Sequence, residues 1–207
     1  MMTLYGTKGS GSAAVEAALR LAGQPFQLVD AASWVPTPGL EKLKRVNPLV
    51  QVPTLVLEDG SVMTESAAIL ISLGLRYPQS GLLPSEPTQA IRGLVYIAAN
   101  CYAAIGIIDY PARFCAECDE ATAKRIQAGS RTRLHEYWRI FADSFPAAPF
   151  LSGAQLGALD ILAAVVSRWS GARAHLQNER PAFHALMQRI ETDRRVADIF
   201  ERHWPAT

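Results

Sequence analysis

The chain contains the run Gln51-Val52-Pro53-Thr54-Leu55-Val56-Leu57, in which a proline opens a segment of apolar and β-branched residues. Because proline has no N–H to donate to a β-ladder, Pro53 marks either the first residue of a strand or a turn. The next residues, Glu58-Asp59-Gly60, are typical of a hairpin turn, and residues 61–63 supply a returning strand. We therefore expect a strand and a hairpin, and a cis peptide bond between Val52 and Pro53.

This pattern predicts a site that recognises a peptide backbone. If Val52 is extended just before a cis-proline turn, its N–H and C=O face outward and can pair with an extended peptide as an added strand would. Thr64 is predicted to cap a helix that begins at Glu65-Ser66, and the first turn of that helix would bind an anionic group. The charge of Glu65 suits a ligand that carries an ammonium as well as a carboxylate. Taken separately, residues 64–66 are also explained by an ordinary helix cap, and Pro53 is also explained by an ordinary strand start.

Composition and charge narrow the possible classes. The 207 residues, 49% hydrophobic and 19% charged, suffice for one large or two small domains with a buried core. A formal net charge of +1 argues against a nucleic-acid partner. No secretion signal opens the chain, and the longest apolar run, residues 94–108, is shorter than a spanning helix needs. Three cysteines, an odd number, fit a reducing compartment better than a disulfide framework. We therefore expect a cytoplasmic protein, and we expect neither a membrane partner nor a metal.

Residues 1–79 alternate strand and helix patterns. Strands are predicted at 3–5 and 25–29, on either side of a glycine- and serine-rich loop at 6–12 and a helix at 13–22. A short right-handed crossover makes this first strand pair parallel. A short helix at 39–46 precedes the Pro53 hairpin, and a helix at 65–75 follows it. The order β-α-β-α-β-β-α resembles that of the thioredoxin-like fold.

A linker is predicted at residues 80–87, within a proline-rich stretch that runs from residue 77 to 87. From 88 to 207 the strand patterns vanish, and the second domain should be all-α. Its helices are predicted at 88–108, 119–144, 158–170 and 181–202. With Gly157 as N-cap, Asp160 stands at the third helical position, where its carboxylate can reach back to the N-cap N–H. We interpret Asp160 as a folding signal and not as a catalytic acid.

Together these motifs resemble the cytosolic glutathione transferase superfamily over essentially the whole chain. The resemblance rests on Asn47-Pro48 leading into residues 52–55, on Glu65-Ser66, on the proline-rich linker and on the segment capped by Asp160. It implies an α/β thioredoxin-like N-terminal domain, an all-α C-terminal domain and a homodimer. It also implies a detoxifying enzyme that transfers glutathione, its co-substrate, to a hydrophobic electrophile. A glutathione-binding carrier or interaction module on the same fold, without catalysis, is the alternative.

The resemblance assigns binding residues one by one. In that family the residue before the cis-proline makes antiparallel backbone bonds to the cysteinyl part of glutathione, which matches Val52 beside Pro53. The acidic-hydroxyl pair that holds the γ-glutamyl end matches Glu65 and Ser66, and Gln51 lies where polar side chains often contact the tripeptide. The pocket for the electrophile would draw on the first long C-terminal helix and the residues after it, although ordinary core or surface roles would suit these residues too: Tyr102, Ile105, Asp109, Tyr110 and Arg113.

The catalytic hydroxyl is expected where the first strand passes into the first helix. Family members place a Tyr, Ser or Cys there, in contact with the glutathione sulfur, and this chain offers Tyr5, Ser10 and Ser12. Gly11 aligns with the cysteine of the bacterial cysteine-type enzymes, so that residue is missing. The resemblance therefore predicts a serine-type site with Ser10 as hydrogen-bond donor and Ser12 or Tyr5 as alternatives. A glycine-serine turn without chemistry remains the other interpretation.

Overall fold

The N-terminal region of the computed structural model, which describes residues 1–205, is built on a four-stranded sheet. In the sheet order β2-β1-β3-β4, β1 and β2 are parallel and the other two pairs are antiparallel. The predicted parallel pair and the predicted hairpin are thus confirmed. The strands are β1 (Met2–Gly6), β2 (Phe26–Asp30), β3 (Thr54–Val56) and β4 (Val62–Met63).

Helices cover both faces of this sheet. Neighbouring residues of a strand point to opposite faces, and in β1 Leu4 joins the core with α1 (Ser12–Leu21) while Tyr5 joins a smaller cluster under α2 (Pro38–Val46). All of residues 12–19 are buried, because α1 lies between the sheet and the helical region. The alanines of α1 keep it thin enough for this close packing. The helix α3 (Ser66–Arg76) lies beside α1.

The chain is helical beyond a short 3-10 turn at Pro78–Ser80. Every residue of the central helix α7 is buried, and α7 packs against α1, α3, α4 and α9. A helix that is hydrophobic on all sides is expected at such a central position. The fold is therefore the predicted one, a thioredoxin-like α/β region followed by an all-α region. The helices are α4 (Thr88–Tyr96), α5 (Ala103–Asp109), α6 (Glu120–Ser144), α7 (Ala158–Val166), α8 (Ala172–Glu179), α9 (Pro181–Glu191) and α10 (Ala197–His203).

Two predicted helices are wrong in extent. The helix predicted at 158–170 ends at Val166, and a turn through Ser170 and Gly171, with φ of +55° and +82°, leads into α8, which was not predicted. The helix predicted at 181–202 is divided into α9 and α10. In the turn between them the Asp193 carboxylate accepts a hydrogen bond from the N–H of Arg195 at 3.0 Å. Such local side-chain bonds compete with helix formation.

The helix predicted at 88–108 is one continuous run, Thr88–Asp109, whose centre from Ile97 to Tyr102 is π-helical. A π segment often marks a functional site, since its wider turn changes the direction in which side chains point. By its 22-residue length and mean hydropathy of 1.6, this run could also cross a membrane. In the structure it packs against α6 and α7, as a core helix of the helical region does.

Candidate functional site

A cleft of about 600 Å³ lies between the α/β region and the helical region. Its volume falls in the range of small-molecule sites, about 300 to 1,000 Å³. One wall comes from the loop before α1, the segment before β3 and the start of α3. The facing wall comes from the Thr88–Asp109 run and the turn after it. The cleft brings together most residues predicted from the sequence: Ser10, Gln51, Val52, Pro53, Glu65, Ser66, Tyr102, Ile105, Asp109, Tyr110 and Arg113.

The segment before β3 presents an open backbone to this cleft. The Val52–Pro53 peptide bond is cis, as predicted. The Asn47 side chain braces the segment by donating to the Gln51 carbonyl at 3.2 Å and to Thr54 Oγ1 at 2.9 Å, and Thr54 Oγ1 donates to the same carbonyl at 2.8 Å. Within residues 1–205 the N–H and C=O of Val52 make no hydrogen bond. Both groups can therefore pair with a bound peptide.

The start of α3 forms the adjacent part of the wall. The predicted N-cap at Thr64 is wrong, since the N-cap position belongs to Glu65 and α3 begins at Ser66. Glu65 has φ of +63°, an uncommon conformation for a residue with a side chain, and residues held in such conformations concentrate at ligand sites. Ser66 and Ala67 line the cleft. The first-turn N–H groups and the positive end of the α3 dipole favour an anionic ligand group there.

The loop before α1 contributes one of the three predicted catalytic hydroxyls to the cleft. Ser10 lines it, and its Oγ donates to the Thr7 carbonyl at 2.8 Å and lies 2.9 Å from Ser12 Oγ. Ser12 is fully buried behind the loop, where a methyl group on Gly6 would lie 2.5 Å from its Oγ. Tyr5 packs in the cluster under α2. Neither Ser12 nor Tyr5 is among the residues that line the cleft.

The helical wall places Tyr102 opposite that loop. A methyl group on Gly11 would lie 2.7 Å from Tyr102 Oη and 3.5 Å from Pro53 Cδ, so the tyrosine hydroxyl sits directly over the start of α1. The Tyr102 ring packs edge-on against Trp169 at 5.5 Å between centroids. Burial, with smaller effects from the charges of Asp109 and Glu65, raises the pKa of Tyr102 to about 12. The hydroxyl is therefore protonated at neutral pH.

The outer part of the cleft is apolar with a few charged groups. Arg113 lies 4.1 Å from the centroid of the Tyr110 ring, a cation–π contact. Partial desolvation raises the pKa of the Asp109 carboxyl. Phe114 and Trp34, which are 60% and 63% exposed, complete the rim. This part of the cleft suits a partly apolar ligand.

Sequence reasoning missed several lining residues. Trp169 follows α7 and reaches the cleft only because the helical region folds back over α1, so no local pattern could reveal it. Trp34 and Phe114 lie in loops, where a large exposed aromatic residue is the only available signal. The sequence singles out Asn47 only as part of Asn47-Pro48, because its role as a brace depends on the fold of the segment before β3.

Within residues 1–205, no group of three or more His, Cys, Asp and Glu side chains is suitable for a metal ion. Cys101, Cys115 and Cys118 are all free thiols. Burial raises the pKa of the Cys101 thiol well above its usual range.

Residues 12–74 match the family described as the N-terminal domain of glutathione S-transferase. The Escherichia coli (strain K12) protein named uncharacterized GST-like protein YncG is 31% identical over 209 residues, which covers 98% of each chain.

Solved structures of bacterial glutathione transferases share the fold of this chain. BphK, a bacterial GST whose structure is a ternary complex, has a TM-score of 0.79 and 27% identity over 97% of this chain and 98% of its own. A Methylobacterium radiotolerans glutathione S-transferase in complex with glutathione sulfonate has a TM-score of 0.73 and 26% identity over 96% and 94%. The sequence identity over nearly the full length and the shared fold agree. The chain belongs to the cytosolic glutathione transferase superfamily.

Proposed function

We propose that the protein is a glutathione transferase, which conjugates the thiolate of glutathione to an electrophilic small molecule. The observation that carries this proposal is the open backbone of Val52 beside the start of α3 on one wall of the cleft. An extended tripeptide with an acidic end fits that arrangement, since one part needs a strand partner and the other needs an anion site.

Each part of glutathione has a partner in this proposal. The cysteinyl backbone pairs with the N–H and C=O of Val52 beside Pro53. The γ-glutamyl carboxylate lies on the first turn of α3 at Ser66, and Glu65 faces its ammonium group. Gln51 contacts the tripeptide from the segment before Val52. Support comes from the binding of glutathione sulfonate by the Methylobacterium relative, whose fold is the same.

The electrophile is proposed to bind against the helical wall. Ile105 supplies apolar surface, Asp109 and Arg113 supply charge, and Tyr102 lies between this region and the start of α1. A partly aromatic electrophile fits best, because aromatic side chains form the rim and stack favourably on flat apolar ligands. No metal ion takes part in the proposed reaction.

The reaction needs a thiolate at neutral pH, since the pKa of a free thiol is about 8.5. A hydrogen bond to an ionised group contributes about 1.5 to 3 kcal/mol. At about 1.36 kcal/mol per pKa unit, one donor lowers the thiol pKa by roughly one to two units. Ser10 is the proposed donor from the N-terminal loop, because it is the predicted loop hydroxyl that lines the cleft, and the α1 N-terminus adds to its effect.

The test combines binding and turnover. We expect calorimetry to detect glutathione binding, and product to form from glutathione and an aromatic halide. Ser10→Ala should lower turnover by roughly 10- to 100-fold, the loss of one charge-assisted bond, and leave glutathione affinity nearly unchanged. Ser33→Ala is the matched control, since Ser33 lines the cleft from the loop between β2 and α2. Unchanged turnover in Ser10→Ala would remove Ser10 from the reaction.

A second function is a glutathione-binding carrier or interaction module without catalysis. One observation favours it: the single proton of the Ser10 hydroxyl is already donated to the Thr7 carbonyl at 2.8 Å. Both functions predict retention on immobilised glutathione. Product formation with any of several electrophile classes supports the enzyme, and its absence with all of them supports the carrier.

The proposal also covers assembly and cellular context. We propose a homodimer, because exposed apolar side chains lie on β4, α3 and α4, at Val62, Leu75 and Val95. We propose a detoxifying role in the cytoplasm, which three free cysteines support, since reducing compartments keep thiols reduced.

A further inference from the structure

The Tyr102 hydroxyl packs closely against the start of α1. Gly11 is the N-cap residue of α1 and supplies no side-chain capping bond. A methyl group there would lie 2.7 Å from Tyr102 Oη, closer than any real Cβ contact allows. Only a residue without a side chain at position 11 lets the tyrosine hydroxyl come this close to the start of α1, and the same methyl group would lie 3.5 Å from Pro53 Cδ.

Tyr102 presents its hydroxyl to the cleft. Tyr102 Oη makes no hydrogen bond to another of residues 1–205, and it is not among the polar atoms buried away from solvent. The ring is fixed from behind by Trp169 at 5.5 Å, and the residue ends the π-helical segment Ile97–Tyr102. A rigid donor needs little reorganisation when charge develops beside it.

Ser10 differs from Tyr102 in this respect. Its Oγ donates to the Thr7 carbonyl at 2.8 Å and accepts a bond from the N–H of Ser12 at 3.2 Å. To donate elsewhere it must give up an existing bond within the loop, whereas Tyr102 gives up no bond to another of residues 1–205.

We propose that the Tyr102 hydroxyl donates a hydrogen bond to the sulfur of bound glutathione, beside Gly11 at the start of α1. This inference rests on the proposed function and reassigns Tyr102 from the electrophile pocket to the sulfur itself. The thiol proton leaves to water, and Tyr102 keeps its own proton. The sulfur electron pair then forms the carbon–sulfur bond, while the carbon–halogen bond breaks and the halide departs with the bonding pair.

The charge of Asp109 adds to the need for such a donor. Asp109 lines the cleft and its negative charge helps to raise the pKa of Tyr102, so an anion bound beside Tyr102 meets the same repulsion. Negative neighbours disfavour a thiolate unless a donor offsets them. A tyrosine that is still protonated at neutral pH can supply that hydrogen bond without becoming charged.

The test measures the pKa of the bound thiol directly, through the ultraviolet absorbance of the thiolate during a pH titration. Tyr102→Phe should raise that pKa by about one to two units and reduce turnover at neutral pH by roughly 10- to 100-fold. Glutathione affinity at a pH where the thiol is protonated should hardly change. Tyr96→Phe is the matched control, because Tyr96 belongs to the same helical run but donates its hydroxyl to the Tyr137 carbonyl at 3.0 Å.

Failure of the Tyr102 assignment and failure of the proposed glutathione transferase function would give different results. A wild-type protein that neither binds glutathione nor forms product overturns the proposed function. A wild-type protein that does both, with an unchanged bound-thiol pKa in Tyr102→Phe, overturns only the inference. A Tyr102→Phe protein with lower turnover but the wild-type thiol pKa also overturns it, since Tyr102 would then act on the electrophile.

Discussion

His203 joins the last described helix to the loop before α1. Its Nδ1 accepts a hydrogen bond from the N–H of Gly9 at 3.1 Å, and its Nε2 lies 2.7 Å from Glu16 Oε1. Since Nδ1 is an acceptor, the ring proton is on Nε2, which donates to Glu16. Burial favours a higher pKa for Glu16, but His203 and Arg202 outweigh it, so the pKa of this carboxyl lies below its ordinary value of 4.5.

Substitutions at His203 should separate the two bonds. His203→Asn keeps an acceptor close to Nδ1 and loses Glu16, whereas His203→Gln keeps a group near Nε2 and leaves the Gly9 N–H without its partner. We expect His203→Gln to lower turnover more, because Gly9 adjoins Ser10, and to speed amide exchange at Gly9. Exchange measured by NMR and turnover at neutral pH are the readouts. Equal turnover in both variants would show that the Gly9 bond does not position the loop.

The sign of the pH effect follows from the lowered pKa of Glu16. A carboxyl with a lower pKa in the folded state contributes stability at neutral pH. That contribution begins to fall as the pH drops below the ordinary value of 4.5, and it is lost once the pH has passed the lower folded value.

At the scale of single residues, the sequence predicts some members of the candidate site and not others. Val52 and Pro53 could be recognised because a proline before a β-branched run has few structural options. The place of Tyr102 over Gly11 depends on packing between residues 91 positions apart, which no local pattern encodes. The hydroxyl of Thr64 predicts an N-cap one residue too early, and no sequence pattern signals the positive φ that Glu65 adopts as the actual N-cap.

At the scale of elements, the buried start of α7 connects three segments. The Asp160 carboxylate accepts backbone N–H bonds from Leu151, Ser152 and Gly157 at 2.7, 3.0 and 3.1 Å. The predicted reach back to the N-cap is confirmed, and two further bonds hold the loop before it. Gly157 is required there, because a Cβ would lie 2.7 Å from the Leu82 carbonyl.

Removal of this carboxylate should be costly. Asp160→Ala leaves three donors without their partner, and each unsatisfied buried donor costs about 1 to 3 kcal/mol, so we expect a loss of roughly 3 kcal/mol or more in the free energy of unfolding. Asp119→Ala is the control: Asp119 caps α6 through one exposed bond to the Thr122 N–H, a cap worth about 1 kcal/mol. Urea unfolding measures both. Equal losses would mean that burial adds nothing to the Asp160 cap.

Helices were predictable where one amphipathic or apolar pattern covers the whole element, as in α1 and α6. The patterns could not place α8, because the chain enters it through Ser170 and Gly171 at positive φ, a turn dictated by packing and not by the apolar spacing. The division between α9 and α10 has the same origin. Apolar residues continue at helical spacing through the turn. The hydrogen bond from the Arg195 N–H to the Asp193 carboxylate nevertheless holds this segment in a turn instead of a helix.

At the scale of the whole molecule, both edge strands of the sheet carry an exposed apolar side chain. Val62 on β4 and Leu28 on β2 are 42% and 44% exposed and lie on opposite edges of the order β2-β1-β3-β4. Leu75 on α3 is 65% exposed and Val95 on α4 is 51% exposed. If β4, α3 and α4 form the interface of a homodimer, the Leu28 edge remains in solvent.

Light scattering should therefore give twice the mass of one chain for the wild-type protein. Val62→Glu and Leu75→Glu should shift it toward the monomer, because a buried unpaired carboxylate is strongly unfavourable. Leu28→Glu should leave the mass unchanged. A wild-type monomer, or equal effects at both edges, would contradict this interface.

The bond between Gly9 and His203 also has a consequence for biosynthesis. The loop next to Ser10 is synthesised well before the histidine that accepts its N–H, because 194 positions separate Gly9 from His203. The nascent chain therefore carries an unanchored loop until His203 has left the ribosome. The cleft can reach its final geometry only after that point of synthesis.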